Sequence, residues 1–320
     1  MTILPLFLFL IIMLQGGTTS DETPSEDASR VLDPRIDPSR ITRVPGIVPP
    51  ARTVDPTPSI QRIAAELKNC EMPPLQAARA REAMNKGIQW LLANQEQGGG
   101  WGRGSGSTPT DRPDERPSPT AAAITGLGIK AIAQSRHPNM GQLAPAVERL
   151  RLARRDDVGI SDGPMATYVV PSITSALVSL QDPQFDELIE DGLARLRTYQ
   201  WDSGEGLSLE QDWFGGAGYG NRGRPDLSNT QFMLDALHDA GVSSDDPAFQ
   251  RAIVFVTRCQ NLNGTNAADW VGNDGGFIYT SANGGESLAS EMAGHGRHGD
   301  ANLKPGDRRS LRSYGSMTYA

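Results

Sequence analysis

Apolar positions fall at helical spacing over most of the chain beyond residue 75. Three stretches read as amphipathic helices that end at a glutamine. The first is Lys86-Gly87-Ile88-Gln89-Trp90-Leu91, running to Gln95. The second runs from Asp191-Gly192-Leu193 through Leu196 to Gln200, and the third from Arg251 to Gln260. A glycine-rich loop closing on an aromatic residue follows each. These loops are Gly98-Gly99-Gly100-Trp101, Gly204 and Gly206 with Gly215-Gly216-Ala217-Gly218-Tyr219 beyond, and Gly264 with Gly275-Gly276-Phe277. A second apolar helix rich in small residues is then expected over Pro119–Ala133, over Asp226–Ala240 and from Ser313 onward. Between the first and second copies, Leu143–Ala153 and Pro164–Leu180 form a degenerate pair without the glutamine or the glycines. Helix pairs of this kind bury their faces by stacking on one another. With no strand-like alternation, the predicted class is all-α. The glycines are expected to cap helices and let backbone pass close beneath a ring. The terminal glutamine is expected to hydrogen-bond the exposed N–H groups of the next helix, with the aromatic ring stacked on it.

The N-terminal pattern is different. Ile3 to Leu14 is almost wholly Leu, Ile, Phe and Met, and small polar residues follow up to Ser20. That run is too short to span a bilayer but suits a signal-peptide core, so residues 1–20 are expected to direct export. This n-region carries no Lys or Arg. Residues 21–74 hold Asp-Pro at 33–34, 37–38 and 55–56, lack aromatics, and read as an acidic, proline-rich spacer without a core. One short amphipathic helix is expected near Ser59–Asn69, from Ile60, Ile63, Ala64 and Leu67. Residues 75–320 remain for a single globular domain.

Composition narrows the function classes. The 320 residues carry 30 Lys+Arg against 38 Asp+Glu, a net charge of −8, and no long basic run. Nucleic acid and anionic membrane surfaces are therefore not expected as main partners, and no stable membrane span is expected. Two cysteines, Cys70 and Cys259, exclude a disulfide framework or a zinc ribbon and leave their pairing open.

Lys86-Gly87-x-x-Trp90-Leu91-x-x-x-Gln95-x-x-x-Gly99-x-Trp101 fits the QW repeat of squalene and oxidosqualene cyclases, and Arg251 to Gln260 fits its first half. The chain resembles the prenyltransferase/squalene-oxidase repeat superfamily, and more narrowly its exported squalene-cyclase-like members. The resemblance implies an α/α toroid, with QW helices outside and small-residue helices inside around a cavity. It gives Gln95, Gly99, Trp101, Gln200, Gln260, Gly275 and Gly276 structural roles. It does not carry the chemistry, because function resides in the site. The cyclases protonate substrate from an Asp-x-Asp-Asp motif, and the matching Asp226-Leu227-Ser228-Asn229 lacks the two inner acids. Asp226 alone reads as a helix N-cap or first-turn acid. No zinc triad of the prenyltransferase type is seen, and neither a metal nor a cofactor is expected.

Other candidates are acids and rings around the second glycine loop. Glu205, Asp212 and Asp226, with Glu210 nearby, are the candidate catalytic residues. Trp201, Trp213, Phe214 and Tyr219 could stack on sugars or isoprenoids, or simply pack the core. His295, His298 and Asp300 sit in a glycine-rich insertion, and Asn263-Gly264-Thr265 is a glycosylation sequon. The expected function is an exported toroid holding an apolar small molecule or a partner without protonation chemistry. The alternative is an enzyme, either an atypical cyclase or transferase or a carbohydrate-active toroid with a glycan ligand. Three helix pairs and part of a fourth, where a toroid of this kind closes with six, give the expectation that the domain is incomplete at its C-terminal side.

Overall fold

In a computed structural model, the structure describes residues 73–102, 116–135, 140–154, 160, 163, 165–220, 223–268, 270–285 and 311–319. The expected signal peptide, the spacer with its helix near 59–69, Cys70 and the His295–Asp300 cluster lie outside the described residues. Among the described residues the chain is mostly helical, with eight α-helices and no strand. The helices are α1 (Pro74–Ala93), α2 (Pro119–Gln134), α3 (Ala144–Ala153), α4 (Ala166–Leu180), α5 (Asp186–Arg197), α6 (Leu227–Asp239), α7 (Pro247–Cys259) and α8 (Gly315–Tyr319). None of the described helices is long and apolar enough to cross a membrane.

The chain divides into two compact units. One takes in the described residues of 73–198 and 232–242, and its centre is the pair α2 and α4. Ser118 starts α2, its Oγ accepting from Ala121 N at 3.2 Å, and Pro119 fills the first turn, where a missing N–H costs nothing. α4 has no charged residue and is buried continuously from Val169 to Leu177. Gly126 lets the two helices touch, since a Cβ there would stand 2.6 Å from Ser172 O. Ile129, Ile132, Ile173 and Leu177 are fully buried, each contributing about 1.5–3 kcal/mol by leaving water. α5 sets Asp186 and Glu187 in its first turn and Arg195 and Arg197 in its last, matching its dipole.

The other unit takes in the described residues of 199–231 and 243–319. Asp246 caps α7, its Oδ1 accepting from Ala248 N at 2.8 Å. Trp201, Leu207, Trp213, Phe214 and Ala282 form one apolar cluster here. Leu227, Phe255, Val256, Cys259, Ile278 and Leu311 form another.

Candidate functional site

The three glutamine–glycine loops close with the same four hydrogen bonds. The glutamine Nε2 donates to the first glycine's carbonyl: Gln95 to Gly99 at 2.5 Å, Gln200 to Gly215 at 2.9 Å and Gln260 to Gly275 at 3.1 Å. The residue after the glutamine exchanges backbone bonds with the glycine pair. Glu96 N donates to Gly100 O, Trp201 N to Gly216 O and Asn261 N to Gly276 O. In return Gly99 N donates to Glu96 O, Gly215 N to Trp201 O and Gly275 N to Asn261 O. The next residue donates its N–H to a threonine hydroxyl on the following helix: Trp101 to Thr125, Ala217 to Thr230 and Phe277 to Thr318, at 3.1, 3.0 and 3.1 Å.

The first glycine has positive φ each time, +94° at Gly99, +87° at Gly215 and +78° at Gly275. Only glycine holds that conformation without strain. At Gly215 a Cβ would also overlap the carbonyl of Arg251. The expected bond from glutamine to the N–H groups of the next helix is therefore corrected. The amide donates to carbonyls, because the loop presents its glycine C=O to the helix end. Gln200 also reaches the start of α7, but again by donating to a carbonyl, Ala248 O at 2.8 Å. Trp101 does not rest on glutamine either. Its ring lies over Gly128, and its Nε1 donates to Leu91 O at 2.9 Å. Thr125, Thr230 and Thr318 were not singled out from sequence. Their separations from the loop, 24, 13 and 41 residues, follow no period.

The three candidate catalytic acids each have a local partner. Asp226 immediately precedes α6 and caps it, Oδ1 accepting from Asn229 N at 2.8 Å. Asn229 Nδ2 also donates to Oδ1 at 3.0 Å and to Oδ2 at 2.9 Å. Burial pushes this carboxyl above the ordinary aspartate range, against the hydrogen bonds from Asn229 and the nearby Arg224 charge. Glu205 closes a capping box, its Oε2 accepting from Asp202 N at 3.0 Å while Asp202 Oδ1 accepts from Gly204 N at 2.7 Å. Asp212 is fully buried and lies within electrostatic reach of Arg258. Arg258 Nη1 donates to Gln211 O at 2.6 Å, and its Nη2 donates to Leu209 O. Burial lowers the Arg258 guanidinium to about 10.

The candidate stacking rings divide. Trp201 and Trp213 are buried edge-to-face at 5.2 Å, and Phe214 is buried beside them, so these three pack the core. Tyr219 remains exposed. Cys259 is a buried free thiol that burial pushes up to about 12. No group of three His, Cys, Asp or Glu able to hold a metal ion occurs among the described residues.

A titratable cluster absent from the sequence reading lies in the α2/α4 unit. Lys130 Nζ sits 2.5 Å from Asp239 Oδ2, both mostly buried. Asp235 lies one turn before Asp239, and burial raises it to about 6, with Asp239 adding to the shift and Lys130 opposing it. The same unit has a groove of about 390 Å³. Leu177, Val178, Ile189 and Leu193 line it, with Asp182, Asp186 and Glu190 at its polar side.

Comparison with protein-family models, with curated proteins and with solved structures gives no match.

Proposed function

We propose that the chain is an exported, squalene-cyclase-like helix-pair protein, an α/α toroid in architecture. It holds a neutral, isoprenoid-like ligand or a partner without protonating it. The repeat architecture draws support from the recurrence of one four-bond closure at Gln95, Gln200 and Gln260. The export reading rests on the apolar run from Ile3 to Leu14.

One observation carries the non-catalytic reading. Where the cyclase motif needs a proton donor with supporting acids, both oxygens of Asp226 accept hydrogen bonds from Asn229. Protonation of Oδ2 would weaken the bond it accepts from Asn229 Nδ2, because a hydroxyl oxygen is a poorer acceptor than a carboxylate oxygen. Glu205 is likewise engaged at a turn start. Acids on the groove, with no basic residue lining it, disfavour an anionic diphosphate head and leave a neutral chain as the better fit.

The enzymatic alternative draws on Asp235, a carboxyl raised to about 6 beside a Lys–Asp pair, as an acid–base group usually is. The glycan version loses the buried rings of Trp201, Trp213 and Phe214 as stacking platforms.

The test is incubation of the full chain with squalene in detergent micelles, then gel filtration and mass spectrometry of the extract. Saturable retention of unchanged squalene is expected. No retention, or a cyclised product abolished by Asp226→Ala, would count against the reading.

A further inference from the structure

The loop that joins α7 to Gly275 holds three asparagines in close succession, and two of them are spent on the fold. Asn261 is buried. Its Nδ2 donates to Leu311 O at 3.0 Å and to Ser313 Oγ at 2.9 Å, and its Oδ1 accepts from Gly272 N at 3.1 Å. Asn266 is buried as well. Its Nδ2 donates to Arg258 O at 2.7 Å and to Gln260 O at 3.0 Å, and its Oδ1 accepts from Ala268 N at 3.2 Å. Both amides are satisfied, as buried amides need to be.

Asn263 stands between them and is exposed. It sits in a turn closed on Leu262 O, which accepts from Thr265 N at 3.1 Å and from Asn266 N at 3.0 Å. Its side chain has no hydrogen-bond partner among the described residues, so the fold has no use for its amide. Gly264 beside it is exposed too, with open space where a Cβ would stand. Two residues on, the Thr265 hydroxyl donates within the same turn, to Leu262 O at 3.3 Å. Asn263-Gly264-Thr265 is the one Asn-x-Ser/Thr triplet in the chain, and no proline stands inside or after it. An accessible asparagine on a surface turn, with a hydroxyl two residues on, is what an N-linked glycan requires in a secreted chain.

We propose that Asn263 is an N-glycosylation site, a modification that rests on the export reading drawn from Ile3 to Leu14. The co-reactant is an oligosaccharide carried on a polyprenyl diphosphate. Asn263 Nδ2 forms a bond to C1 of the first sugar as the C1–O bond to the diphosphate breaks. The polyprenyl diphosphate leaves with the bonding pair, and one Nδ2 proton passes to solvent. The glycan hangs from the loop that Gln260 closes on Gly275, and it leaves the amides of Asn261 and Asn266 untouched.

The test is production of the full chain in a eukaryotic secretory host. Gel mobility is read with and without a glycan-removing amidase, and mass spectrometry reads the peptide that holds Asn263. A single mobility shift that the amidase removes is expected, with a glycopeptide at Asn263. Asn263→Gln and Thr265→Ala should each abolish the shift, whereas Thr265→Ser should keep it. The thermal midpoint of Asn263→Gln should equal that of the deglycosylated chain, because the side chain it replaces holds no fold contact. An unmodified Asn263 in the secreted chain, or a shift that survives Asn263→Gln, overturns the proposal and leaves the export reading standing. A chain held in the cytosol with Met1 intact overturns both. Aspartate at position 263 in secreted chain never treated with the amidase also overturns it, since the free amide would then be lost to ring closure by Gly264 N.

Discussion

Gln200 Oε1 accepts a hydrogen bond from Arg251 Nε at 3.0 Å, and the same Nε lies 3.1 Å from Asp202 Oδ2. With its Nε2 shared between Gly215 O and Ala248 O, the Gln200 side chain joins a helix end, a loop and the start of α7. Every polar atom of this buried amide is therefore used.

Gln200→Ala should cost about 2–4 kcal/mol, because it removes three hydrogen bonds in a buried site, those to Gly215 O and Ala248 O and the one from Arg251 Nε, which keeps only its ion pair with Asp202. Gln260, which is half-buried and makes one such bond, should cost about 1 kcal/mol or less when changed to Ala. Urea unfolding of the two variants compares them. Equal losses would mean that the amide of Gln200 has no special standing.

Gly215→Ala should destabilise by more than Gly241→Ala. Both glycines have positive φ, +87° and +73°, so each alanine carries about 1–2 kcal/mol of backbone strain. Only at Gly215 does the new Cβ meet backbone, the Arg251 carbonyl, while Gly241 faces open space. Thermal denaturation should rank the two, and a reversed order would contradict the close approach at Gly215.

Stability should fall as pH rises from about 4 to about 6 and level off above that. Asp235 is raised from 3.8 to about 6 in the fold. Its contribution is thus complete below about pH 4, where both states are protonated, and is lost as pH climbs through 6. The loss is bounded by about 3 kcal/mol, and Lys130 and solvent reduce it. Asp235→Asn should be more stable than the native chain at pH 7.5 and equal to it near pH 4. Denaturant midpoints at the two pH values check this, and an unchanged midpoint at pH 7.5 would refute it.

Cys259 should be silent towards a thiol reagent at pH 8 in a Cys70→Ser background. It is fully buried, and its thiol is pushed up to about 12, so almost no thiolate is present. Reaction should begin only with global unfolding in urea. Prompt labelling in buffer would show that the α7 end opens readily.

The helices were legible because α2 combines an apolar run with a Ser118-Pro119 start, and α7 opens with Asp246-Pro247. The glutamine–glycine pairing was legible where the loop is short, at Gln95 and Gly99, and where Gly275-Gly276 stands alone. At Gln200 the nearer Gly204 and Gly206 drew attention from Gly215, the partner that makes the bond. Gly206 instead ends the Asp202–Glu205 turn with φ +81°. The threonines escaped because a hydroxyl accepting one N–H leaves no pattern in hydropathy. The Lys130–Asp235–Asp239 cluster escaped for another reason. Lys130 and Asp239 are 109 residues apart, and burial, which decides the charge state of Asp235, is a property of packing.

The glutamine lies 4 residues from its glycine in one loop and 15 in the other two, yet the closing bonds are the same. Lengthening a flexible loop from 4 to 15 residues costs only about 1.2 kcal/mol in closure entropy. The closure therefore works as a clasp that is indifferent to what hangs from it. A foreign epitope or a ligand-gripping finger spliced after Glu96 would be tethered as firmly as the native turn. Evolution has the same freedom, to vary cargo at these points while the helical frame stays fixed.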